Sequence, residues 1–285
     1  MTAIIVNGAE IAKEIRKKIS EEIVQLNKKY NCNPVIMTII VGNDSSSKLY
    51  LTLRDNACNE VGIISKHVEF DATVSEQKIF KAIQKLNTDD SVHGVLIQYP
   101  VPKHLSQKKL MQMIDPQKDI EGFNPVNLGR TLIGEEYLVP CTPLSILTIL
   151  QHEHIALKGK NIVIINHSNV VGKPLAALLL SRNATVAVCH IFTKNLKEYT
   201  SKADILITGA GVPNLITTDY VKDNAIVLDV AIVKTKAGIC GDVDFDAVKE
   251  KAAVISPVPG GVGPITIACA LKNIVKAYRN CFENA

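Results

Sequence analysis

Apolar positions follow two spacings along this chain. Those at 11, 15, 19, 23 and 26 recur at helical spacing with Lys, Arg and Glu between them, which predicts a long first helix. The run "NPVIMTIIVGND" is almost wholly apolar, which is typical of a strand covered on both faces. The alternation continues with a helix over 46–61, a strand over 64–70, a helix over 75–87, the strand "GVLIQYP" and a helix over 105–114. Strands alternating with helices predict a parallel sheet with right-handed crossovers.

The stretch 115–142 interrupts this alternation. It is rich in Pro, Gly and Asn and has no clear period, so it is predicted to join two domains and to carry part of a site. A second α/β series follows. Its predicted helices are 143–154, 172–182, 194–202, 244–250 and 264–281, and its strands are "NIVIINHS", "TVAVCH", "DILITGAG", "AIVLDVAI" and "AAVISP". The last helix has two possible placements, against the second sheet or back on the first domain.

Length and composition favour a globular protein of two domains. A chain of 285 residues is long for one core, and 47% hydrophobic with 21% charged residues supplies material for two. The aromatic content of 5% and the absence of tryptophan argue against a base-stacking nucleic-acid surface. A net charge of +4 is modest and favours anionic substrates or cofactors.

The cysteines and the hydrophobic runs indicate the cellular compartment of the protein. Seven cysteines form no CxxC pair, so we interpret them as reduced thiols of a cytoplasmic protein and expect neither disulfides nor a zinc site. The histidines are scattered without metal-ligand spacing, and no metal is expected. No apolar run reaches spanning length and no signal-peptide core is present, so neither a membrane nor secretion is expected.

The second predicted helix carries an unusual pair of side chains. Tyr50 and Arg54 lie one turn apart, so both leave the same face. The phenol can exchange a proton, whereas the guanidinium stays charged at any ordinary pH. Gln98 lies at the carboxyl end of the strand in "GVLIQYPVPKHL", locked by Pro100 and Pro102, where a fixed amide can hydrogen-bond a substrate or a partner side chain.

Acidic residues stand in the interrupting stretch. "KDIEGFNPVN" supplies Asp119 and Glu121 before a glycine turn, and for Asp119 a helix-capping or surface role is as open as a functional one. "PCTP" is predicted to cap the next helix with Thr142. His190, at the end of an apolar strand, is interpreted as a core or rim residue.

The turn "NHSNVVGKP" leads from a strand into a helix. Ser168 lies in the turn, and Gly172 and Pro174 open the helix, whose positive end favours a phosphate. The turn lacks the G-x-G-x-x-G fingerprint, and an ordinary strand-to-helix turn is an equal alternative.

The loop "SPVPGGVGPIT" is more informative. Its glycines, Gly260, Gly261 and Gly263, are predicted to adopt conformations closed to other residues and to let the backbone lie against a ring. Because loops at the carboxyl ends of parallel strands bind ligands, a functional role is favoured here.

Taken in order, these stretches resemble the bifunctional methylenetetrahydrofolate dehydrogenase/methenyltetrahydrofolate cyclohydrolase family, the FolD type. The resemblance runs from the first helix to the last and is carried by "SKLYLTLRDNACNEVGI", "GVLIQYPVPKHL", "DPQKDIEGFNPVNLGR", "PCTP", "SNVVGKP", "ATVAVCH", "ADILITGAG", "GDVDF" and "PVPGGVGPIT". It implies a two-domain α/β fold with a cleft between the domains, and a homodimer. The implied domains are a three-layer α/β folate-binding catalytic domain over 1–118 plus 265–285 and a Rossmann-like NAD(P)-binding domain over 119–264. The last helix would then return to the first domain.

The resemblance also implies an activity and a set of residues. The expected reaction is oxidation of 5,10-methylenetetrahydrofolate with NADP (or NAD), followed by hydrolysis to 10-formyltetrahydrofolate, in one-carbon metabolism. The implied catalytic residues are Tyr50, Arg54 and Gln98. The implied substrate-binding residues are Ser47, Tyr50, Gln98, Pro100, Glu121, Gly260, Gly261 and Pro264. The implied cofactor-binding residues are Asn166, His167, Ser168, Val171, Gly172, Ile191, Ala210, Gly211, Ala231 and Ile232.

Several of these positions depart from the family pattern. Arg54 replaces a lysine, and arginine can hold a charge but hardly act as a base. Glu121 replaces an aspartate that grips the pterin, and it is one methylene longer. The family arginine and serine that commonly hold the 2′-phosphate of NADP are His167 and Ile191 here, so we expect weaker NADP binding or acceptance of NAD. Ala231 stands where the family tends to have glycine.

Three hypotheses follow from these departures. The chain is a working dehydrogenase with a weakened hydrolase step, or a diverged paralogue that binds a folate or pterin without turnover, or an unrelated Rossmann dehydrogenase. The first-half motifs disfavour the third. In hydride transfer the protein chiefly orients two ligands, so we expect the replacement of lysine by Arg54 to impair this reaction less than hydrolysis. The family activity is therefore preferred, with the cyclohydrolase as its less secure half.

Overall fold

The alternation of strands and helices is present in the computed structural model, which describes residues 3–236 and 238–283 and, of residues 45–47, the backbone alone. The helices are α1 (Gly8–Tyr30), α2 (Ser45–Val61), α3 (Glu76–Asn87), α4 (Gln107–Met113), α5 (Pro125–Ile133), α6 (Cys141–His152), α7 (Gly172–Leu180), α8 (Leu196–Thr200), α9 (Phe245–Val248) and α10 (Val262–Glu283). The strands are β1 (Ile4–Ile5), β2 (Val35–Val41), β3 (Ile64–Phe70), β4 (Gly94–Ile97), β5 (Asn161–Ile165), β6 (Thr185–Cys189), β7 (Ile205–Thr208), β8 (Ile226–Asp229), β9 (Val233–Thr235), β10 (Gly238–Cys240) and β11 (Val254–Ile255). Thr218–Tyr220 form a short 3-10 helix.

The chain divides into two compact units. The first unit comprises Lys13–Arg130, Glu136–Val139 and Ile267–Ala285, and the second comprises Met1–Ala12, Thr131–Glu135 and Pro140–Thr266. The division expected from the sequence differs from this one at residues 1–12, 119–130, 136–139 and 265–266. Strand β1 pairs with β11 in the sheet of the second unit. The part of α10 from Ile267 onward belongs to the first unit.

The first unit is built on a three-stranded parallel sheet in the order β3-β2-β4. The apolar face of α3, with Ile79 and Ile83, packs into a core with Ile39 of β2 and Val95 of β4. Burial of such side chains contributes about 1.5–3 kcal/mol each. The carboxyl ends of these strands lie at one edge of the sheet, where Gln98 and Pro100 follow β4, whereas the predicted substrate residues Gly260, Gly261 and Pro264 belong to the second unit.

The second unit contains a six-stranded parallel sheet in the order β1-β11-β8-β7-β5-β6 and a small antiparallel hairpin of β9 and β10. From β5 the chain first adds β6 on one side and then β7 and β8 on the other, so the direction of winding reverses between β5 and β7. Ligands of doubly wound sheets bind at such a reversal, outside the carboxyl ends of the strands. The predicted fold class, two α/β units with a Rossmann-like second one, is confirmed.

Some local predictions were wrong or incomplete. The stretch 115–142 contains a nine-residue helix, α5, which begins where Asn124 Oδ1 accepts the Val126 N–H at 2.9 Å. Helix α6 begins at Cys141 after Pro140, so Thr142 lies inside the first turn and is not the cap. Strands β1, β9 and β10 were missed, since each has only two or three residues.

The expectations on disulfides and on membrane-spanning helices can be compared with the structure. All seven cysteines are unpaired, and four of them are buried. No helix in the described part of the chain is both long and apolar enough to cross a bilayer.

Candidate active site

The charged centre of the first unit is Arg54. Helix α2 returns antiparallel to β2 and packs on the sheet, so Arg54 is brought over the middle of β2, where its Nη2 donates to Thr38 Oγ1 at 2.8 Å. The side chain is 1% exposed, and its Nε has no hydrogen-bond partner among the described residues. A permanent positive charge is thus fixed in the interior with donor capacity to spare. Tyr50, half-buried, lies one turn nearer the carboxyl end of β2 on the same face.

The positive charge of Arg54 acts on the carboxyl group of Glu121 in the same unit. Burial raises the pKa of the Glu121 carboxyl to about 7, the charge of Arg54 opposes this rise, and the carboxylate of Asp119 adds to it. Burial raises the pKa of the Tyr99 hydroxyl, and the carboxylates of Glu121 and Asp119 add to this rise. Burial, the larger effect, thus favours the neutral form of Glu121, and the positive charge of Arg54 partly offsets it.

The backbone around Glu121 is held from two sides. Asp119, which is 3% exposed, accepts the Asn124 N–H at 2.7 Å and Asn127 Nδ2 at 3.0 Å. Asn273 of α10 donates through Nδ2 to the carbonyl of Ile120 at 2.9 Å. Asp119 is thus neither a surface residue nor a free carboxylate. It fixes the segment that presents Glu121.

Gln98 extends β4 by one residue, since its N–H donates to the Ile39 carbonyl of β2 at 2.8 Å. Its side-chain Nε2 donates to the carbonyl of Tyr99 at 3.1 Å. Gln98 and Pro100 line a cavity of about 210 Å³ at the carboxyl ends of the strands, together with Val41 and Lys48. The structure thus brings Gln98 to a concave surface at the sheet edge. The side chain of Ser47 lies outside the described residues.

The pKa of Glu121 gives a testable dependence of stability on pH. Its pKa is raised from about 4.5 to about 7, so the folded protein keeps a proton that the unfolded chain loses above pH 4.5. This contribution to stability is fully present at low pH and is lost as the pH rises to 7. The difference in free energy of unfolding between wild type and Glu121→Gln should therefore change between pH 4.5 and pH 7.5 and level off above that.

Urea unfolding at pH 4.5, 6, 7.5 and 8.5 measures this difference. Glu14→Gln, at an exposed position of α1 in the same unit, is the matched control and should leave the pH dependence unchanged. A Glu121→Gln curve that runs parallel to wild type across the whole range would contradict the raised pKa.

In the second unit, the turn after β5 is braced by its own side chains. Asn166 Oδ1 accepts the N–H groups of Ser168 at 2.9 Å and Gly172 at 3.1 Å, and Ser168 Oγ accepts the Val171 N–H at 3.1 Å. The Nδ2 of Asn166 donates to the carbonyl of Gly209, at the end of β7, at 2.7 Å. Asn166 therefore ties together the two strand ends at the winding reversal. The N–H groups of Ser168, Val171 and Gly172 therefore serve the turn itself, which agrees with the alternative of an ordinary strand-to-helix turn.

The loop after β7 is held by a buried carboxylate that the sequence reasoning did not single out. Asp242 is fully buried and accepts from Thr208 Oγ1 at 2.6 Å, from the Ala210 N–H at 2.6 Å and from the Val212 N–H at 2.8 Å. The motif "GDVDF" was the only signal for it. Beneath it, burial raises the pKa of Asp229 to about 6, although the N–H groups of Val243 and Ala231 donate to its carboxylate.

Asp242→Asn should loosen this loop. An amide cannot match all three donors, and one unmatched buried group costs about 1–3 kcal/mol, so the free energy of unfolding should fall by about that amount. Dinucleotide affinity, measured by calorimetry, should drop by about tenfold, because reordering the loop on binding would cost about 1.4 kcal/mol, which corresponds to a factor of ten in Kd. Asp244→Asn is the control: Asp244 caps α9 through Ala247 at 3.4 Å, and asparagine caps equally well. Equal effects of the two substitutions would contradict the loop-holding role.

The glycine-rich loop matches its prediction in part. Gly260 has φ +103°, a conformation that favours glycine, and Gly261 is needed because a Cβ would stand 2.6 Å from the Pro257 carbonyl. Gly263 has neither requirement, because it lies in the first turn of α10 with open space beside it. Pro264 also lies in that turn.

The remaining predicted cofactor residues are exposed or line strand ends. Ile191 is 87% exposed and Ile232 67% exposed, whereas Ala231 is buried. The ring centroids of His167 and His190 are 4.9 Å apart. Gly211 has φ +75° and no described atom within 4 Å of where a Cβ would stand.

The parallel sheet with a braced turn at its winding reversal defines an α/β protein with a dinucleotide-binding unit, joined to a unit with a buried charged site. The profile described as "Tetrahydrofolate dehydrogenase/cyclohydrolase, catalytic domain" matches residues 6–121, and the one described as "Tetrahydrofolate dehydrogenase/cyclohydrolase, NAD(P)-binding domain" matches residues 140–282. The chain belongs to the tetrahydrofolate dehydrogenase/cyclohydrolase family.

Individual relatives agree over nearly the full length. The chain is 47% identical to the bifunctional protein FolD of Methanosarcina barkeri over 95% of this chain and 94% of that protein. The structure is similar to the crystal structure of bifunctional FolD from Campylobacter jejuni, with TM-score 0.95 and 41% identity over 98% and 99% of the two chains. It is also similar to the Trypanosoma brucei enzyme complexed with NADP cofactor and inhibitor, with TM-score 0.94 and 31% identity over 99% of each chain.

Proposed function

We propose that this protein oxidises 5,10-methylenetetrahydrofolate to 5,10-methenyltetrahydrofolate with NADP and hydrolyses the product to 10-formyltetrahydrofolate at a reduced rate. The observation that carries this proposal is the buried Arg54 one turn from Tyr50 on α2, with Gln98 lining the cavity at the strand ends, in a chain that is 47% identical to a bifunctional FolD protein. A binding protein without turnover is not favoured, because relatives similar over nearly the whole chain are bifunctional enzymes by name.

The second unit has residues that fit a dinucleotide. The turn Asn166–Gly172 and the loop at Gly211 meet at the winding reversal, and the open space beside Gly211 lets a ligand approach the backbone. The other predicted cofactor residues follow three strand ends: Ser168 and Val171 follow β5, Ala210 follows β7, and Ile232 follows β8. When bound, NADP supplies the acceptor for a hydride. The protein contributes binding and orientation of that cofactor.

The first unit supplies the groups toward the folate. We assign to the Glu121 carboxylate the amino edge of the pterin, to which a carboxylate can offer two acceptor oxygens. Gln98 and Tyr50 offer an amide and a phenol to the reacting end. The charge of Arg54 favours the carboxylate form of Glu121 and partly offsets its burial, and this role requires a permanent cation but no proton exchange.

The same arrangement explains why hydrolysis is the weaker half of the activity. Hydrolysis of a methenyl group needs a residue that takes a proton from the attacking water. Arg54 keeps its proton at any ordinary pH, and its fixed positive charge repels the cationic methenyl substrate. The proton must instead leave through Tyr50, Glu121 or solvent, and none of these lies at the position of the family lysine.

An absorbance assay tests the proposal. Methylenetetrahydrofolate mixed with the enzyme and NADP, and separately with NAD, should yield reduced nicotinamide, with NADP preferred. Decay of the methenyl absorbance should follow more slowly than its formation. Thermal stabilisation by folate without any reduced nicotinamide would indicate a binding protein and overturn the proposal.

We also infer that the protein is a cytoplasmic homodimer that acts on a small folate and not on nucleic acid. In the first unit, β3 pairs with β2 alone among the described strands, so one strand edge is open. Leu49 and Leu53 of α2 and Ile64 of β3 are 63%, 48% and 39% exposed. Open edges and exposed apolar groups are typical of interfaces. Sedimentation velocity should give a species of twice the chain mass, and a monomer at micromolar concentration would contradict the dimer.

A further inference from the structure

A glycine of the first helix lies directly against the glycine-rich loop. Gly8 is the first residue of α1, and its N–H donates to the carbonyl of Gly260 at 3.0 Å. A Cβ on Gly8 would stand 1.8 Å from the carbonyl oxygen of Gly261 and 2.6 Å from that of Gly260, whereas real Cβ atoms essentially never approach within 3.0 Å. The three residues belong to the second unit, so the contact lies within one compact body.

Helix α1 does not by itself require a glycine at this position. Gly8 lacks the positive φ that would disfavour other residues, and alanine is the better helix former. The helix is already capped by Asn7, whose Oδ1 accepts the Glu10 N–H at 3.2 Å. The missing side chain of Gly8 is therefore explained by the close approach of the loop and not by the helix.

The glycine-rich loop is closely packed at two further places. At its root, the Asp229 N–H donates to Ser256 Oγ at 2.8 Å. Further along, Val258 Cγ2 lies only 2.8 Å from where a Cβ on Gly241 would stand. Gly260, in contrast, has open space around its Cβ position. The loop is thus fixed against its own unit, while the side on which a Gly260 side chain would stand is open.

We propose that Gly8 is a positioning residue for folate binding, because it admits the carbonyls of Gly260 and Gly261 where a side chain would stand and so sets the place of the loop. The inference rests on the proposed function and on the assignment of Gly260 and Gly261 to the substrate. It adds a residue of α1 that acts through the loop. A glycine-rich segment has many accessible conformations, so a loop that is fixed before the substrate arrives loses less entropy on binding.

The substitution Gly8→Ala tests this role. To admit the methyl group, the Gly261 carbonyl must retreat from 1.8 Å to at least 3.0 Å, which moves the loop. The kcat/KM for methylenetetrahydrofolate should fall by about 10²-fold, chiefly through KM, as a displacement of ~1 Å in a ligand site gives. The Kd of tetrahydrofolate, measured by calorimetry, should rise in parallel. The Kd of NADP should stay within about twofold, because other hydrogen bonds hold the turn at Asn166 and the loop at Asp242.

Asn7→Ala is the matched control at the same helix start. It removes the cap and lowers the stability of α1, but it adds no atom next to the loop. The melting temperature should fall, while the KM for methylenetetrahydrofolate and the Kd of tetrahydrofolate stay within about twofold of the wild type. If Gly8→Ala melts near Asn7→Ala and binds tetrahydrofolate as the wild type does, the inference is overturned.

Hydrogen exchange of the wild-type protein gives a second test that needs no variant. Tetrahydrofolate at about ten times its Kd should slow exchange of the Gly8 amide by about tenfold, because the ligand binds only when the loop is in place. NADP at the same multiple of its Kd should change that rate by less than about twofold, since it binds elsewhere in the unit. Equal slowing by the two ligands, or slowing by neither, would overturn the inference.

These results differ from those that test the proposed function. If the wild type reduces NADP with methylenetetrahydrofolate while the readouts at Gly8 contradict its positioning role, the inference fails and the proposed function stands. If the wild type neither binds tetrahydrofolate nor reduces NADP, the proposed function fails and the inference fails with it.

Discussion

Arg54→Lys should raise the rate of methenyltetrahydrofolate hydrolysis by about 10²–10⁴-fold, the usual contribution of a positioned acid–base group. A lysine can lose its proton when it is desolvated beside a cationic substrate, whereas the buried guanidinium cannot. Its Nζ can still donate to Thr38 Oγ1, the partner that Arg54 has at 2.8 Å, so the variant should fold. The loss of methenyl absorbance, measured without nicotinamide cofactor, reports hydrolysis alone.

Arg54→Met is the control for this prediction. Methionine fills similar space but carries neither a charge nor an exchangeable proton, so hydrolysis should not increase. Without the opposing charge, the pKa of Glu121 should rise further above 7, and dehydrogenase activity near neutral pH should fall. If Arg54→Lys melts like the wild type and hydrolyses no faster, the account of the impaired proton relay is wrong.

Gly172→Ala should abolish dinucleotide binding and destabilise the second unit. A Cβ at this position would stand 1.8 Å from the carbonyl oxygen of Asn166, a backbone atom that cannot turn away. The turn must shift, at a cost of about 1–3 kcal/mol as for an overpacked site, and the bracing hydrogen bond from Gly172 to Asn166 Oδ1 is lost. A displacement of about 1 Å in a ligand site can cost about 10²-fold in function.

Thermal melting and calorimetric titration with NADP measure both effects. Gly129→Ala in α5 is the matched control, since it is also a helical glycine but has open space around its Cβ position. That variant should be neutral or more stable by about 0.5–1 kcal/mol, because alanine is the better helix former. Normal NADP affinity in Gly172→Ala would show that the turn does not hold the cofactor.

Much of the candidate site could be predicted one element at a time. The helical spacing of Tyr50 and Arg54 and the strand-end position of Gln98 follow from local periodicity. The sequence could not show that Arg54 donates to Thr38, because the two residues lie on different elements that meet only in the folded unit. The bracing roles of Asn166 and Asp242 were also missed, since a polar residue after a strand has the same pattern whether it binds a ligand or the backbone.

The sequence by itself determined the alternation of strands and helices, the parallel sheets and the family, because side-chain period and motif order are properties of neighbouring residues. Only the tertiary structure decided that β1 joins the sheet of the second unit beside β11. It also decided that the guanidinium of Arg54 is buried and that burial raises the pKa of Glu121 to about 7. These features depend on which distant segments desolvate one another, and that free energy is absent until the chain has packed.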